Sequence, residues 1–415
     1  MPDSSNNILR YSAFSAVLAS AGIPLYIHLP AFLSETYGIG LAALGGVLII
    51  LRCLDFIQDP LLGAIVGKSR RSQSITALLS VGALAMGMSG IFVIAAPFAP
   101  LVWISVCLAL AFTGYSALTI LLYSDGVSRA HGHGHVSLAT AREGGALTGI
   151  LLACILPFVL PGNGYAGFAM VFAAALVLAY LGMRGRWHST PLDLPRFSVL
   201  LANDALRSFL VLAFLNSLPV AVTSTLFVFF VDLRLGAQAL TGPFLMSFFG
   251  AAALSVFVWK PLALKLGASK TLLIGMMLAI LSFCWAFMLP QGASVLFFLV
   301  CILSGVSLGA DMILLPAMFS SFQARSNQNP AIGFGLWSFA NKASLAIAAG
   351  VVLPLLSFVG FDPNGINGSQ ELFALGLSYA LLPAVLKLFA IWWLWRVMHP
   401  KGLLDQADRA PSEIS

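Results

Sequence analysis

Residues 51–63 read LRCLDFIQDPLLG and place three charged side chains, Arg52, Asp55 and Asp59, in a stretch that is otherwise apolar. Their spacing of i, i+3 and i+7 puts them on one face of a helix. A charge near the centre of a bilayer costs from a few to about 10 kcal/mol, so such residues face an internal cavity and find partners there. The stretch therefore predicts a membrane helix with one polar, functional face.

The composition of the whole chain agrees with a membrane setting. Of its 415 residues, 60% are hydrophobic and only 9% are charged, whereas about a quarter of the residues of a soluble domain are charged. The net charge of +6 comes from basic residues scattered among short loops, which argues against a nucleic-acid surface. All five cysteines lie in apolar stretches, so no disulfide framework is expected.

Twelve apolar runs, broken by Gly, Pro or charge, are long enough to cross a bilayer. Only helices satisfy the backbone groups of segments this long in lipid. The predicted fold class is therefore an all-α membrane protein with twelve transmembrane helices. The runs cover residues 11–33, 40–66, 74–94, 100–124, 137–159, 164–184, 206–231, 239–259, 271–290, 293–320, 331–358 and 372–396.

The connecting loops predict how the chain is oriented. The loops after the odd-numbered runs contain one basic residue, Arg234, whereas the loops after the even-numbered runs are basic. Because basic loops stay cytoplasmic, both termini are expected in the cytoplasm. The expected location is a cell membrane, with the bacterial inner membrane favoured.

A long sixth connection divides the runs into six plus six. The predicted parts are an N-terminal six-helix bundle (1–184), a cytoplasmic linker (185–205), a C-terminal six-helix bundle (206–398) and a cytoplasmic tail (399–415). Similar basic loops, PLLGAIVGKSRRS and KPLALKLGASK, follow the second and eighth runs. Two parallel-related six-helix bundles are the plan of the major facilitator fold.

The acids of the second run suggest ion binding. Arg52 can neutralise one carboxylate and leave the other to bind a cation or a proton. The alternative is a static Arg–Asp pair that staples the bundle, with Asp59 and Pro60 marking a break in the helix. Ion binding is preferred because a staple does not need two acids.

Two further features of the first half suggest a polar cavity. Tyr115, Thr119 and Tyr123 recur every four residues along the fourth run, which indicates either a polar-aromatic face or ordinary aromatic packing. Arg142 lies early in the fifth run and either points inward or snorkels to the cytoplasmic surface.

The second half contains its own intramembrane charges. Asp311 in the tenth run and Lys342 in the eleventh are expected to pair across the cavity. Trp337, Asn341 and Lys342 share a face of their helix. Lys387 lies closer to the end of its run and is expected to snorkel.

A histidine-rich loop is the main candidate for a metal site. Residues 131–135 read HGHGH, which could hold zinc, but the glycine spacing and the lack of a fourth ligand nearby favour a flexible loop. No metal site is predicted. No phosphate-cradling glycine loop and no nucleophile–base arrangement stands out, so ATP-driven transport and enzyme chemistry are disfavoured.

The second run also carries a recognisable motif. RCLDFIQDPLLG resembles the Arg-x-x-Asp-x-x-x-Asp-Pro-x-x-Gly signature of the glycoside–pentoside–hexuronide:cation symporters, the melibiose permease family of the major facilitator superfamily. The likeness extends through GYSALTILLYS, AREGGALTGILLACILP and FANKASLAIAAGVVLPLLSFVGF, so it touches both halves of the chain.

The resemblance implies roles for individual residues. It implies a cation site formed by Asp55, Asp59, Gln58 and Ser116. The predicted substrate-binding residues are Tyr115, Thr119, Tyr123, Arg142, Trp337, Asn341 and Lys342, of which Thr119, Trp337 and Asn341 come from shared helical faces alone. Arg52 and Asp311 are predicted to take part in charge pairs.

Departures from the family pattern concern the solute. Sugar-binding members of the resembling family have one carboxylate on helix one and another on helix four, and here those positions look like Ala19 and Thr119. The acidic stretch after helix ten is also absent. A sugar held between paired carboxylates is therefore disfavoured.

The resemblance implies secondary active symport of a small organic solute, with a glycoside as one candidate, by alternating access. The coupling ion is H⁺ or Na⁺, and Gln58 favours the proton because sodium-using members have Asn there. The alternatives are a lysolipid or other amphiphile carrier of the same fold and, from a different class, a receptor or a membrane-embedded enzyme. The expected partners are the solute, the coupling cation and the lipid bilayer, with no nucleic acid and no cofactor, and the chain is expected to be a monomer.

Overall fold

The computed structural model describes residues 2–22, 24–25, 29–37, 41–130, 134–160, 164–184, 187, 202–326, 329–362 and 367–398. The described part of the first half contains seven α-helices: α1 (Pro2–Ser20), α2 (Leu29–Tyr37), α3 (Leu41–Gly67), α4 (Arg70–Phe92), α5 (Pro100–Arg129), α6 (Gly134–Val159) and α7 (Gly164–Met183). The second half contains α8 (Asp204–Phe229), α9 (Thr241–Leu266), α10 (Ala268–Phe287), α11 (Ser294–Arg325), α12 (Pro330–Phe358), α13 (Ser369–Gly376) and α14 (Leu382–Trp393).

Ten helical segments of the described chain are long and apolar enough to cross a membrane. Two shorter apolar helical stretches, Ile8–Ser20 and Ile57–Gly67, overlap the first and second predicted runs. The prediction of an all-α membrane protein is therefore confirmed.

The first predicted run is not one continuous helix, because α1 ends at Ser20 and α2 begins at Leu29. Pro24 explains the end of α1, since proline has no N–H to donate to the carbonyl four residues earlier, which belongs to Ser20. Pro30 is tolerated as the second residue of α2, because the first N–H groups of a helix have no intrahelical acceptor. The last run is likewise divided, with a π-helical turn at Leu377–Leu381 ahead of Pro383.

The chain forms two compact units. The first contains residues 1–195 together with 323–339, and the second contains residues 196–322 together with 340–415. Helix α12 is shared, because residues 330–339 belong to the first unit and the remainder belongs to the second. The domain bounds predicted from the sequence stay a prediction.

The first unit is packed through small residues. Helices α4 and α5 lie side by side, and a Cβ atom added to Gly114 would lie 2.6 Å from the carbonyl oxygen of Ser80. Such close backbone approach provides the van der Waals contact that holds helices together in a membrane. Burial of apolar side chains gives little driving force there, because lipid tails are as apolar as the protein interior.

Aromatic rings contribute to the packing of the second unit. The rings of Phe230 and Tyr379 stack with their centroids 4.0 Å apart, and Phe297 meets Phe244 edge to face at 4.9 Å. The indole N–H of Trp393 on α14 donates to the carbonyl oxygen of Ser208 on α8 at 3.0 Å. These contacts hold the helices that surround a buried charge pair in this unit.

Candidate functional site

The acidic pair of α3 lies inside the first unit. Asp55 is 6% exposed and Asp59 is fully buried. The two residues are four positions apart and therefore lie one turn apart on the same face of the helix. This face is directed at protein rather than at lipid, as the intramembrane position of two acids requires.

Asp55 accepts hydrogen bonds from two helices. Its Oδ1 atom accepts from the Ser116 hydroxyl on α5 at 2.8 Å and from the Gln58 amide on α3 at 3.0 Å. The oxygen of the Gln58 amide in turn accepts from the Thr113 hydroxyl at 3.0 Å. Thr113 therefore orients the amide so that its nitrogen, rather than its oxygen, points at Asp55.

Asp59 contacts a third helix. Its Oδ2 atom accepts from the hydroxyl of Ser338 on α12 at 2.5 Å. The side chain of Arg52 lies outside the described residues, so its pairing with the acids stays a prediction. Carboxylate and hydroxyl oxygens are ligands that a hard cation uses, and intramembrane acids also serve as proton carriers.

A second polar cluster of the first unit contains Arg142, Glu143 and Tyr123. The guanidinium Nε of Arg142 and the hydroxyl of Tyr123 each donate to Glu143 Oε1 at 2.7 Å. The guanidinium carbon lies 3.4 Å from the centre of the Tyr123 ring, a cation–π arrangement. Arg142 is 3% exposed, so it points inward and does not snorkel.

The guanidinium of Arg142 has unused donor capacity. Its Nη2 atom is buried and has no hydrogen-bond partner within the described part of the chain. A buried donor that makes no hydrogen bond costs about 1–3 kcal/mol. The cluster can therefore offer a hydrogen bond to an oxygen of a bound molecule.

The remaining predicted substrate residues fall in both units. In the first unit, the half-buried Thr119 donates to the carbonyl oxygen of Tyr115 on its own helix at 2.8 Å. Trp337 is buried in the same unit, with its ring 6.4 Å from that of Phe334. Asn341 and Lys342 are half-buried and belong to the second unit.

The charge pairing predicted for the second unit is wrong. Lys387 is 1% exposed, and its ammonium group donates to Asp311 Oδ2 at 2.5 Å and to Asn216 Oδ1 at 2.7 Å. Lys387 therefore does not snorkel, and the partner of Asp311 is Lys387 rather than Lys342. The reason is that a carboxylate and an amide on two other helices compensate the buried ammonium, so it gains nothing by reaching for water.

The described residues contain no group of three His, Cys, Asp or Glu side chains placed to hold a metal ion. Residues 131–133 of the histidine-rich loop lie outside the described residues. His135 is described and is buried near the start of α6.

A family model described as MFS/sugar transport protein matches residues 11–399, almost the whole chain. The chain belongs to this family. The resemblance to the major facilitator superfamily is thereby confirmed, and membership places the protein among membrane transporters rather than enzymes.

Relatives of this MFS/sugar transport protein agree with that assignment. YjmB, an uncharacterized symporter of Bacillus subtilis (strain 168), is 20% identical over 402 residues, which cover 89% of this chain and 88% of the relative. A bacterial homologue of the iron transporter ferroportin, in an outward-facing state with soaked iron, matches with a TM-score of 0.71 and 15% identity over 92% of this chain and 99% of its own. The fucose:proton symporter of E. coli matches with a TM-score of 0.68 and 14% identity over 93% of this chain and 98% of its own. At these identities the solved structures show the fold alone.

Sequence reasoning missed several polar residues of this MFS/sugar transport protein. Thr113 and Ser338 join the hydrogen bonds of the acidic pair, and Asn216 joins the charge pair of the second unit. Helical spacing could have found two of them, because Thr113 lies three residues before Ser116 and Ser338 lies four residues before Lys342. Asn216 has no such neighbour in the sequence that would indicate its partner.

Proposed function

We propose that the chain is a symporter in which a proton entering at Asp55 and Asp59 drives the uptake of a small polar organic solute by alternating access. The observation that carries this proposal is the pair of buried carboxylates on α3, whose described donors are the hydroxyl and amide groups of Ser116, Gln58 and Ser338. These hydroxyl and amide donors hold the carboxylate oxygens in place, where a proton or a cation can bind to them.

The orientation of Gln58 favours a proton over Na⁺. The amide oxygen, the atom that would coordinate a metal cation, accepts from Thr113, and the amide nitrogen faces Asp55. A sodium ion needs several oxygen ligands, whereas a proton needs only one carboxylate oxygen. This supports H⁺ as the coupling ion.

The Arg142 cluster supports a polar, oxygen-rich solute, with a glycoside or another sugar derivative as the leading class. The buried Nη2 atom of Arg142 can donate to a hydroxyl or carboxylate oxygen. The half-buried aromatic ring of Tyr115, on the helix that carries Ser116, suits the apolar face of a sugar ring. Solute and ion sites on neighbouring turns of α5 suit thermodynamic coupling between them.

An amphiphile carrier of the same fold is the second candidate. Ala19 is buried, and the hydroxyl of Thr119 is bonded within its own helix. Neither position therefore presents the carboxylate with which sugar-binding members of the resembling family hold a sugar. An acyl chain needs no carboxylate at either position.

The test uses the full chain, purified and reconstituted into proteoliposomes as a monomer in a defined bilayer. The assay measures uptake of radiolabelled glycosides, free sugars, sugar acids and a lysophospholipid. Each is tested with a pH gradient that is acidic outside, with an inward Na⁺ gradient, or with neither. We expect the pH gradient to accelerate uptake of a sugar derivative and a protonophore to abolish that acceleration.

The matched variants are Asp59→Asn and Asp204→Asn. Asp204 is an exposed surface carboxylate paired with Arg207, so its loss should leave gradient-driven uptake unchanged, whereas Asp59→Asn should abolish it. A transported solute that ignores both gradients would reject symport, and transport of the lysophospholipid alone would favour the amphiphile carrier.

A further inference from the structure

Helices α3 and α12 meet along a line of small residues. On α3, Asp59, Gly63 and Gly67 recur every four residues and share one face. A Cβ atom added to Gly63 would lie 2.5 Å from the carbonyl oxygen of Ala331, and one added to Gly335 would lie 2.7 Å from that of Asp59. The two backbones are therefore in direct contact, as small-residue helix pairs in membranes are.

Polar side chains close both ends of this contact. At one end Asn329, which is 2% exposed, donates from Nδ2 to the carbonyl oxygen of Gly67 at 2.9 Å. At the other end Ser338 donates to Asp59 Oδ2. We call the set of Asp59, Gly63, Gly67, Asn329, Ala331, Gly335 and Ser338 the α3–α12 seam.

The seam shares one carboxylate with the candidate ion site. Helix α12 continues beyond residue 339 into the second unit, so the same helix reaches from Asp59 into that unit. The seam lies at the ends of α3 and α12 next to the basic loops at Lys68–Arg71 and Arg325, the side predicted to be cytoplasmic. An ion bound at the Asp59 carboxylate therefore affects the contact between α3 and α12.

Hydrogen-bond chemistry gives the direction of this effect. A hydrogen bond to an ionised carboxylate is about twice as strong as one to a neutral group. A proton or a cation that loads Asp59 competes with the Ser338 hydroxyl for the carboxylate oxygens. The empty, ionised acid therefore holds the seam more firmly than the loaded acid does.

Other charged and titratable residues lie on α12 and on the helices next to α3. On α12, the half-buried Lys342 lies one turn beyond Ser338. Arg70 and Arg71 are exposed at the start of α4, Asp125 pairs with Arg129 on α5, and the hydroxyl of Tyr123 donates to Glu143. The side chains of Glu35, Arg52 and Cys53 lie outside the described residues. The remaining charged and titratable groups on α2, α3, α4 and α5 are Tyr37, Asp55, Cys107 and Tyr115.

We propose that Ser338 is a positioning residue that transmits the ion occupancy of Asp59 to α12. With Asp59 empty and ionised, the Ser338 hydrogen bond holds the α3–α12 seam closed. Ion loading weakens that bond and lets the seam part, which opens the predicted cytoplasmic side for release. This inference rests on the proposed function, because it takes Asp59 as part of the ion site.

The test compares Ser338→Thr with Ser338→Val, two variants of nearly equal shape that differ in the hydroxyl. Spin labels on Lys68→Cys and Ala324→Cys, both exposed near the seam, report its separation by double electron–electron resonance. The measurement uses the full chain in nanodiscs, with the five native cysteines replaced, from pH 5 to pH 9 and with added Na⁺. Ser344→Ala, which removes a hydroxyl bonded only within α12, is the control.

We expect acid to increase the longer-distance population when the seam is unsubstituted, in Ser338→Thr and in Ser344→Ala. Added Na⁺ at high pH should leave that population unchanged, because the proposed coupling ion is H⁺. Ser338→Val should raise that population on the order of tenfold at high pH, the size expected for losing one charge-assisted hydrogen bond, and should flatten the ion response. Gly335→Ala should part the seam at every pH, because its added Cβ meets the Asp59 backbone, and it shows that the labels detect parting.

Two results would contradict this inference, and they can be told apart. If Ser338→Val keeps the ion response of Ser338→Thr while Asp59→Asn loses it, the role of Ser338 is rejected and the ion site stands. If Asp59→Asn also keeps the response, the ion binds elsewhere, and both the proposed function and this inference fail. Coupled uptake gives an independent readout, because Ser338→Val should shift the pH profile of transport without changing solute affinity.

Discussion

The two units bury acids in opposite ways. In the first unit the described donors to Asp55 and Asp59 are hydroxyl and amide groups. In the second unit the donor to Asp311 is the ammonium group of Lys387, which Asn216 also holds. The hydroxyl and amide donors carry no charge themselves, whereas the lysine that donates to Asp311 is an opposite charge fixed in the same unit. We propose that Asp55 and Asp59 exchange an ion during transport and that Asp311 holds helices together.

The largest effect is expected from breaking the charge pair of the second unit. Lys387→Met leaves the Asp311 carboxylate buried without its compensating charge, which costs about 3–5 kcal/mol in comparable pairs. The melting temperature in detergent should fall sharply. The double variant Lys387→Met with Asp311→Leu should recover most of that loss, since an apolar replacement of the whole pair is often neutral.

That double variant also tests what the pair is for. If it is stable and transports with an unchanged pH profile, the pair is structural, as proposed here. A stable double variant that has lost proton-driven uptake would show that Asp311 belongs to the transport chemistry, and the contrast between the two units would fail.

The next largest effect should come from Asp55→Asn. The amide keeps an oxygen that can accept from Ser116, so thermal stability should change by only about 1 kcal/mol, the net worth of one hydrogen bond. Proton-driven accumulation should be lost, because the neutral side chain cannot release and rebind a proton. Uptake under a pH gradient measures the loss, and a retained gradient response would argue against an exchangeable ion at Asp55.

A smaller effect is expected from Ser116→Ala. The variant removes one donor to Asp55 Oδ1, and a hydrogen bond to a charged group contributes about 1.5–3 kcal/mol. The pH at which transport is half-maximal should move upward, because the ionised acid loses support and protonation becomes easier. Uptake measured over a pH series checks the direction, and a downward shift would contradict it.

The smallest effect should come from Thr113→Val, which acts on Asp55 only through Gln58. Its hydrogen bond joins two neutral groups and contributes about 0.5–1.5 kcal/mol. The pH profile should move in the same direction as for Ser116→Ala but by less. A shift larger than that of Ser116→Ala would show that the orientation of Gln58 matters more than the direct hydroxyl contact.

Helical spacing predicted the acidic face of α3, because residues three and four apart in one helix are neighbours whatever surrounds them. The family resemblance, not spacing, implied the hydroxyl of Ser116. It predicted the wrong partner for Asp311, because contacts between helices depend on how far each helix is rotated and shifted. The break between α1 and α2 was open to prediction from Pro24, whose effect on the backbone is local.

The amino-acid sequence by itself determined the membrane environment, the helical class, the acids of α3 and membership of the MFS/sugar transport family. These features follow from composition, from motif and from the period of one helix, which a linear pattern contains. Only the tertiary structure decided that Ser338 meets Asp59, that Lys387 is buried against Asp311 and that Arg142 stacks on Tyr123. Each of these contacts joins side chains from separate helices. For Lys387 and Arg142, the packing of the whole unit also decides whether the long side chain points inward or reaches toward water.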